Sequence, residues 1–220
     1  MVLETVATRV GEMELSRHRD DYTIAIDGVE LMSSDNHQSE DELGLVAGEL
    51  VRDLPAPRLL IGGLGLGYTA RAALDALPAT ARVEIAEIVP DVVRWNRTIL
   101  GPLANHPLAD PRVTLIEDDV ARVIQQATGR YDAIVLDVDN GPDGISASNA
   151  TLYLQGGLAT ILAALTPTGV LAIWSAFDSL HFTSELQQAG FDVEVQNFRS
   201  WHAGGATHTI WLARPRHLSV

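Results

Sequence analysis

Three segments of this 220-residue chain carry residue types suited to chemistry. The first is Ile61-Gly62-Gly63-Leu64-Gly65-Leu66-Gly67-Tyr68, which follows an apolar run and precedes an Ala- and Leu-rich stretch. Glycine permits positive φ and lets backbone N–H groups approach a ligand closely. Between a strand and a helix, such a loop suits a nucleotide, although it also suits a tight turn. The second group is acidic. Glu87, in Ala86-Glu87-Ile88, lies about 20 residues beyond the glycines, where a carboxylate can accept both hydroxyl hydrogens of a ribose. Asp118 and Asp119 end the run that begins at Val113, where a carboxylate can accept the exocyclic amine of adenine; Asp119 also stands where a helix N-cap belongs.

The third segment runs from Tyr131 through Asp137, Asp139 and Asn140 to Asp143-Gly144. Open α/β sheets bind ligands beyond strand ends of this kind. A carboxylate there can stabilise a sulfonium or take a proton from an amine. Asp137, the first acid off the apolar run, is the candidate catalytic group. The same residues are ordinary turn formers. Oxygen ligation of Mg²⁺ or Ca²⁺ by Asp137, Asp139 and Asp143 is a weaker reading, and no metal site is expected. The glycine loop alone leaves its ligand open, because Gly65-Leu-Gly67-Tyr-Thr-Ala70 also fits the G-x-G-x-x-A dinucleotide pattern. NAD and S-adenosylmethionine both carry the ribose that Glu87 would hold. The carboxylates at 87, 118, 119 and 137 favour S-adenosylmethionine or its decarboxylated form. An NAD-dependent oxidoreductase and a non-catalytic nucleotide-binding protein remain alternatives.

Composition removes several classes. All 15 basic residues are arginine and there is no lysine, which excludes a Schiff-base lysine and a Walker-type phosphate lysine. Without cysteine there is no thiolate nucleophile, disulfide or Cys-ligated zinc. A formal charge of -14 repels a phosphate backbone, so no nucleic-acid partner is expected, whereas a cationic small-molecule substrate is welcomed. With no apolar run of roughly 18 residues and no signal-peptide pattern after Met1, the reading is a soluble cytoplasmic protein without a membrane span.

The elements that must position these residues follow from periodicity. Residues 13 to 17, 22 to 27 and 29 to 33 alternate apolar with polar, and Asp27-Gly28 is a hairpin signal. Ser39-Glu-Asp-Glu42 has capping-box spacing and predicts a helix over 39–53. Apolar runs at 58–62, 82–88, 112–116, 132–137 and 169–174 alternate with helical stretches at 66–77, 90–99, 119–127, 150–165 and 178–189, Pro90 fitting a first helical position. That is the rhythm of a parallel sheet. Runs at 191–198 and 206–213 predict an antiparallel edge and bring the sheet to seven strands. The expected organisation is an N-terminal antiparallel β unit over 1–37 and a Rossmann-like nucleotide-binding unit over 38–220.

In this order the segments resemble the spermidine synthase family of aminopropyltransferases, with their methyltransferase-type Rossmann sheet. The resemblance rests on Leu59 to Gly67, Ala86-Glu87-Ile88, Val113 to Asp119, Tyr131 to Asp137 with Gly141-Pro142, and Leu152-Tyr153. Ile26 to Leu31 and His37 to Glu40 are similar to the family's N-terminal hairpin and to the stretch that closes over the amine. The resemblance implies that Gly62, Gly63, Gly65 and Gly67 form the loop on the methionine side. Glu87, with Ile88, would hold the ribose, and Asp118 and Asp119 would lie by adenine. Asp137 would be the base. Asp139, Asn140, Tyr153, Trp174, His37 and Glu40 would line the amine site. Transfer of an aminopropyl group to an amine is then the expected reaction, and methylation of a small molecule by S-adenosylmethionine is the nearest alternative. A homodimer through the N-terminal strands is also implied.

The chain departs from the family pattern at the amine site. The usual Asp-Ser-x-Asp-Pro reads Asp137-Val-Asp139-Asn140, Ile173-Trp174-Ser175 stands where a glutamine is common, and Ser39-Glu40 replaces an aromatic pattern. Trp201, His202 and His208 fall at loops or strand ends near the same cleft, where packing or surface roles are the ordinary explanation.

Overall fold

A computed structural model describes residues 1–9, 11–138, 151–199 and 207–216. Four strands, β1 (Val2–Thr8), β2 (Gly11–His18), β3 (Asp21–Ile26) and β4 (Val29–Ser33), form an antiparallel meander in sequence order. Asp27 and Gly28, both at positive φ, make the two-residue turn that pairs Ile26 with Val29. Strand β1 corrects the sequence reading, which has no strand there. Its alternation is broken by Glu4, a partly buried carboxylate whose partners are distant in sequence. Arg94 grips it through two nitrogens and Trp95 donates its indole N–H at 2.8 Å.

Helix α1 (Gln38–Val51) leads into the larger sheet. The predicted capping box is not made. The helix starts one residue earlier, His37 is the N-cap without a side-chain cap bond, and the Ser39 hydroxyl donates to Glu40 Oε2 at 2.6 Å. Then follow β5 (Arg58–Gly62), α2 (Tyr68–Ala76), β6 (Arg82–Ala86), α3 (Pro90–Arg97), β7 (Val113–Ile116), α4 (Val120–Gln125) and β8 (Tyr131–Leu136). After the 3-10 turn Thr151–Tyr153 come α5 (Gln155–Ala164), β9 (Leu165–Ser175), α6 (Leu180–Gln188), β10 (Phe191–Arg199) and β11 (Thr207–Pro215). The seven strands lie in the order β10-β11-β9-β8-β5-β6-β7. All pairings are parallel except those of β11 with β9 and β10. Strand β9 starts four residues before its predicted apolar run, at Leu165, and its pairing with β8 shifts register there.

The central strands read as continuous apolar runs because both faces are covered. Leu59, Leu60, Ile61 and the residues from Ala133 to Leu136 have no exposed surface. One core face joins Met13, Leu15, Ile24 and Ile26 of the small sheet to Leu43 and Ala47 of α1 and to Ile61 and Ile85 of the large sheet, so the core runs across residue 37. The other face packs Leu60, Ile134 and Leu136 under α5 and α6. Among the described residues, no helix is long and apolar enough to cross a membrane.

Two topological facts place the site. The chain winds from β5 outward through β6 and β7, then returns to the other side of β5 with β8, so a crevice opens at the carboxyl ends of β5 and β8. Helix α1 is drawn tightly against α2 beside it, since a Cβ on Gly44 would lie 2.2 Å from the Thr69 carbonyl oxygen. Gly44→Ala should gain helix propensity yet lose stability, because backbone must move. We expect a net loss of ~1–3 kcal/mol in urea unfolding, whereas an unchanged or raised midpoint would show that α1 can slide freely.

Candidate active site

Strand β5 ends at Gly62, which is flush with Ala86 of β6 and Leu136 of β8. Gly62 itself packs inward, where a Cβ would strike Val120. The chain then turns through Gly63, Gly65 and Gly67, at φ of 90°, 51° and 92°. At Gly63 both conformation and space demand glycine, because a Cβ would lie 2.2 Å from the Asp137 carbonyl oxygen. The Gly63 N–H donates to the Ala86 carbonyl at 2.9 Å and the Asp137 N–H to the Gly62 carbonyl at 3.0 Å. Asn96 of α3 holds the loop from the far side by donating to the Gly65 carbonyl at 2.7 Å.

Beside this loop opens a cleft. Gly63, Gly65, Glu87, Ile88, Asp118, Asp119 and Asp137 line its floor, and Met13, Ile24, Ile26, Leu31 and Met32 of the small sheet form an apolar roof. Glu87 is 8% exposed, and its two carboxylate oxygens accept the N–H groups of Leu64 at 3.0 Å and Val89 at 2.8 Å. Burial raises its pKa, opposed by those backbone amides. Asp119 caps α4 by accepting from the Ala121 N–H at 2.8 Å, and Asp118 accepts from the Asp119 N–H at 2.8 Å.

A second cavity adjoins the cleft, sharing Leu31, Met32, Gly65 and Asp137. Its other walls include Glu40, Tyr68, Thr69 and Trp174. Thr69, in the first turn of α2, donates its hydroxyl to Asp137 Oδ2 at 2.5 Å. Burial raises the Asp137 pKa, and the Thr69 bond opposes it. Glu40 is pushed up to about 7, first by burial and then by the charge on Asp137. Burial, together with the charges of Asp41, Glu40 and Asp21, raises the Tyr68 hydroxyl to about 12. Among the described residues, neither cavity is lined by an arginine or a histidine.

The structure thus brings Gly63, Gly65, Gly67, Glu87, Ile88, Asp118, Asp119, Asp137, Glu40 and Trp174 to two joined cavities. It does not bring all the sequence candidates there. His37 lies one layer back, stacked on Tyr68 at 3.7 Å with its Nδ1 2.7 Å from Asp41 Oδ2. Tyr153 is buried in the opposite core face, edge-on to Phe182. His208 stacks on Trp174 at 5.3 Å, and burial lowers its pKa. Asp139, Asn140, Trp201 and His202 lie outside the described residues. Sequence reasoning misses Thr69, Tyr68 and the apolar roof. Its one available signal is a hydroxyl at 69, in the helix turn directly after the glycine loop.

Comparison with known proteins gives a consistent relationship. The model of the spermine/spermidine synthase domain matches residues 50–198. A polyamine aminopropyltransferase of Corynebacterium efficiens is 33% identical over 152 residues, covering 68% of this chain and 28% of that protein. Putrescine N-methyltransferase 3 of Nicotiana tabacum is 34% identical over 131 residues, covering 58% of this chain and 32% of that protein. The chain spans about a third of the length of the curated relatives it matches. The fold is similar to the crystal structure of spermidine synthase from Thermotoga maritima, with a TM-score of 0.75 at 17% identity, covering 96% of this chain and 72% of that one.

The raised Glu40 pKa has a signed consequence for stability. A carboxyl whose pKa is higher when folded stabilises fully below its unfolded value, and that stabilisation is lost as pH rises through the folded value, here from 4.5 to about 7. Glu40→Gln cannot ionise. Its Tm should match wild type near pH 4 and exceed it by several degrees at pH 8, given roughly 2–4 °C per kcal/mol at this chain length. A constant difference across that range would show that Glu40 ionises freely.

Proposed function

The chain belongs to the spermine/spermidine synthase family, and from that premise we propose that it transfers an aminopropyl group from decarboxylated S-adenosylmethionine to a small amine. The observation that carries this reading is the pair of joined cavities meeting at Asp137, acid-lined and without a described cationic side chain. Glu87 holds the ribose hydroxyls, Ile88 lies against the same sugar, and Asp118 and Asp119 lie by adenine. Gly63, Gly65 and Gly67 let the chain of the co-substrate pass close to the backbone. Gly62 supports this loop from within the sheet. The sulfonium and the amine then flank Asp137, whose carboxylate offsets their positive charge and takes the proton from the attacking amine. Glu40, Trp174, Asp139 and Asn140 serve the amine end, with His37 supporting its wall through Tyr68.

Decarboxylation is what the electrostatics favour. The α-carboxylate of S-adenosylmethionine would enter a space facing Asp137 and Glu40 with no described cation to meet it, and like charges brought together are repelled. In the reaction the amine lone pair bonds to the methylene carbon beside sulfur, the C–S electron pair returns to sulfur, and neutral methylthioadenosine leaves. Holding the two reactants in line supplies much of the acceleration. Methyl transfer is the second reading, supported by the similarity to a putrescine N-methyltransferase. The dinucleotide and sensor readings are not favoured by the family. We further place the protein in the cytoplasm, acting on a cationic small molecule without nucleic acid. We also propose a homodimer through the small sheet, whose strands β1 and β4 are terminal in the described order.

Incubation with decarboxylated S-adenosylmethionine and an amine panel should yield methylthioadenosine, and Asp137→Asn should lower the rate by roughly 10²–10⁴-fold. Formation of S-adenosylhomocysteine from S-adenosylmethionine, with no methylthioadenosine, would replace this reading by methyl transfer.

A further inference from the structure

We infer that Thr69 is a positioning residue for the transfer, its hydroxyl holding one oxygen of Asp137 so that the other meets the attacking amine. This inference rests on the transfer reading above, in which Asp137 takes the amine proton. Thr69 stands in the first turn of α2, is 3% exposed and lines the second cavity. A threonine hydroxyl on a helix commonly bonds a backbone carbonyl one turn back. That of Thr69 crosses instead to a residue 68 positions away, donating to Asp137 Oδ2 at 2.5 Å. A hydroxyl has one hydrogen to give, so this bond commits it to the base. Backbone anchors both ends. Asp137 is fixed by its N–H to the Gly62 carbonyl and by Gly63, which passes close under the Asp137 carbonyl. Thr69 is fixed by its helix and by Gly44 of α1, where a Cβ would lie 2.2 Å from the Thr69 carbonyl oxygen.

Asp137 lines both cavities, and among the described residues Thr69 is the one side chain that donates to it, leaving Oδ1 for the amine. The other titratable groups around it give its charge no support. Glu40 of α1 faces it across the second cavity, and Glu87, Asp118 and Asp119, beyond the ends of β6 and β7, line the cleft. All four are acids. Tyr68 of α2 keeps its proton, and no described arginine or histidine lines either cavity. Burial works against the charge on Asp137, and the Thr69 hydroxyl opposes burial. The step balances. The substrate ammonium gives one proton to Oδ1, and the freed nitrogen lone pair forms the new C–N bond as the C–S pair moves to sulfur. The product leaves as a secondary ammonium, and Asp137 releases its proton to water. Throughout, Oδ2 stays with Thr69, which keeps Oδ1 on the amine. The sign follows: without the hydroxyl Asp137 is harder to ionise, so the acidic limb of kcat/KM moves to higher pH.

The test compares Thr69→Val, which keeps the branched shape and loses the hydroxyl, with Thr69→Ser, which keeps the hydroxyl. Both are assayed across pH with decarboxylated S-adenosylmethionine and one alkylamine. Thr69→Val should lose roughly 10²-fold in kcat, keep KM for both substrates close to wild type, and show its acidic limb at higher pH. Thr69→Ser should recover most of the rate and return the limb to its wild-type place. A limb left in place by Thr69→Val overturns the proposal. So does a Thr69→Ser variant as impaired as Thr69→Val, which would make packing of the methyl group the role of Thr69. A loss confined to KM would assign the hydroxyl to a substrate and overturn it too. Carbon-13 titration of the aspartate carboxyls reads the bond without turnover, the Asp137 resonance being the one absent in Asp137→Asn. Its midpoint should rise in Thr69→Val and return in Thr69→Ser, and an unmoved midpoint overturns the proposal. If wild type forms no methylthioadenosine with any amine, the transfer reading falls and this role with it, while the titration still decides whether Thr69 holds the carboxyl.

Discussion

The close passage of Gly63 under the carbonyl of Asp137 is the constraint on which the rest of the site depends. A side chain at residue 63 would lie 2.2 Å from that oxygen, so the loop after β5 and the acid after β8 can meet only at glycine. The backbone bond from Asp137 to Gly62 fixes the same junction from within the sheet. From this crossing the two cavities diverge. One runs over β6 and β7 toward Glu87 and Asp118, the other toward α1 and Trp174, and Asp137 belongs to both.

Charge is managed at this junction by hydrogen bonds. Glu87 is buried against backbone N–H groups and Asp137 against a threonine hydroxyl, while the described walls of both cavities offer no arginine or histidine. Buried carboxylates held in this way stay costly to ionise until a cation arrives. On the proposed reading the cations are the substrates themselves, a sulfonium and an amine. The small sheet completes the enclosure, since its apolar face both belongs to the main core and roofs the cleft. The same packing that stabilises the N-terminal strands therefore sets an apolar surface over the cleft.

Much of the frame is legible in the sequence because it is local. Buried runs such as Leu59-Leu60-Ile61, the turn at Asp27-Gly28, Pro90 at a helix start and Asp119 as an N-cap each follow from a few neighbouring residues. Strand β1 is hidden because Glu4 breaks its alternation, and its partners Arg94 and Trp95 are some 90 residues away. The capping box fails for a related reason, since the helix starts one residue early and leaves Ser39 to its neighbour Glu40. Within the site, the glycines and strand-end acids stand out by type and spacing. Thr69, the Met32 roof and the pairing of Glu40 with Asp137 are set by tertiary approach, and no spacing in the chain announces them.

The central claim is that this junction accepts cations and rejects a carboxylate. Calorimetric titration with decarboxylated S-adenosylmethionine and with S-adenosylmethionine under identical conditions tests it most directly, because the two differ by that one group. The account predicts that the decarboxylated form binds at least ~10-fold more tightly, a difference of about 1.4 kcal/mol or more. Equal or tighter binding of S-adenosylmethionine would contradict it.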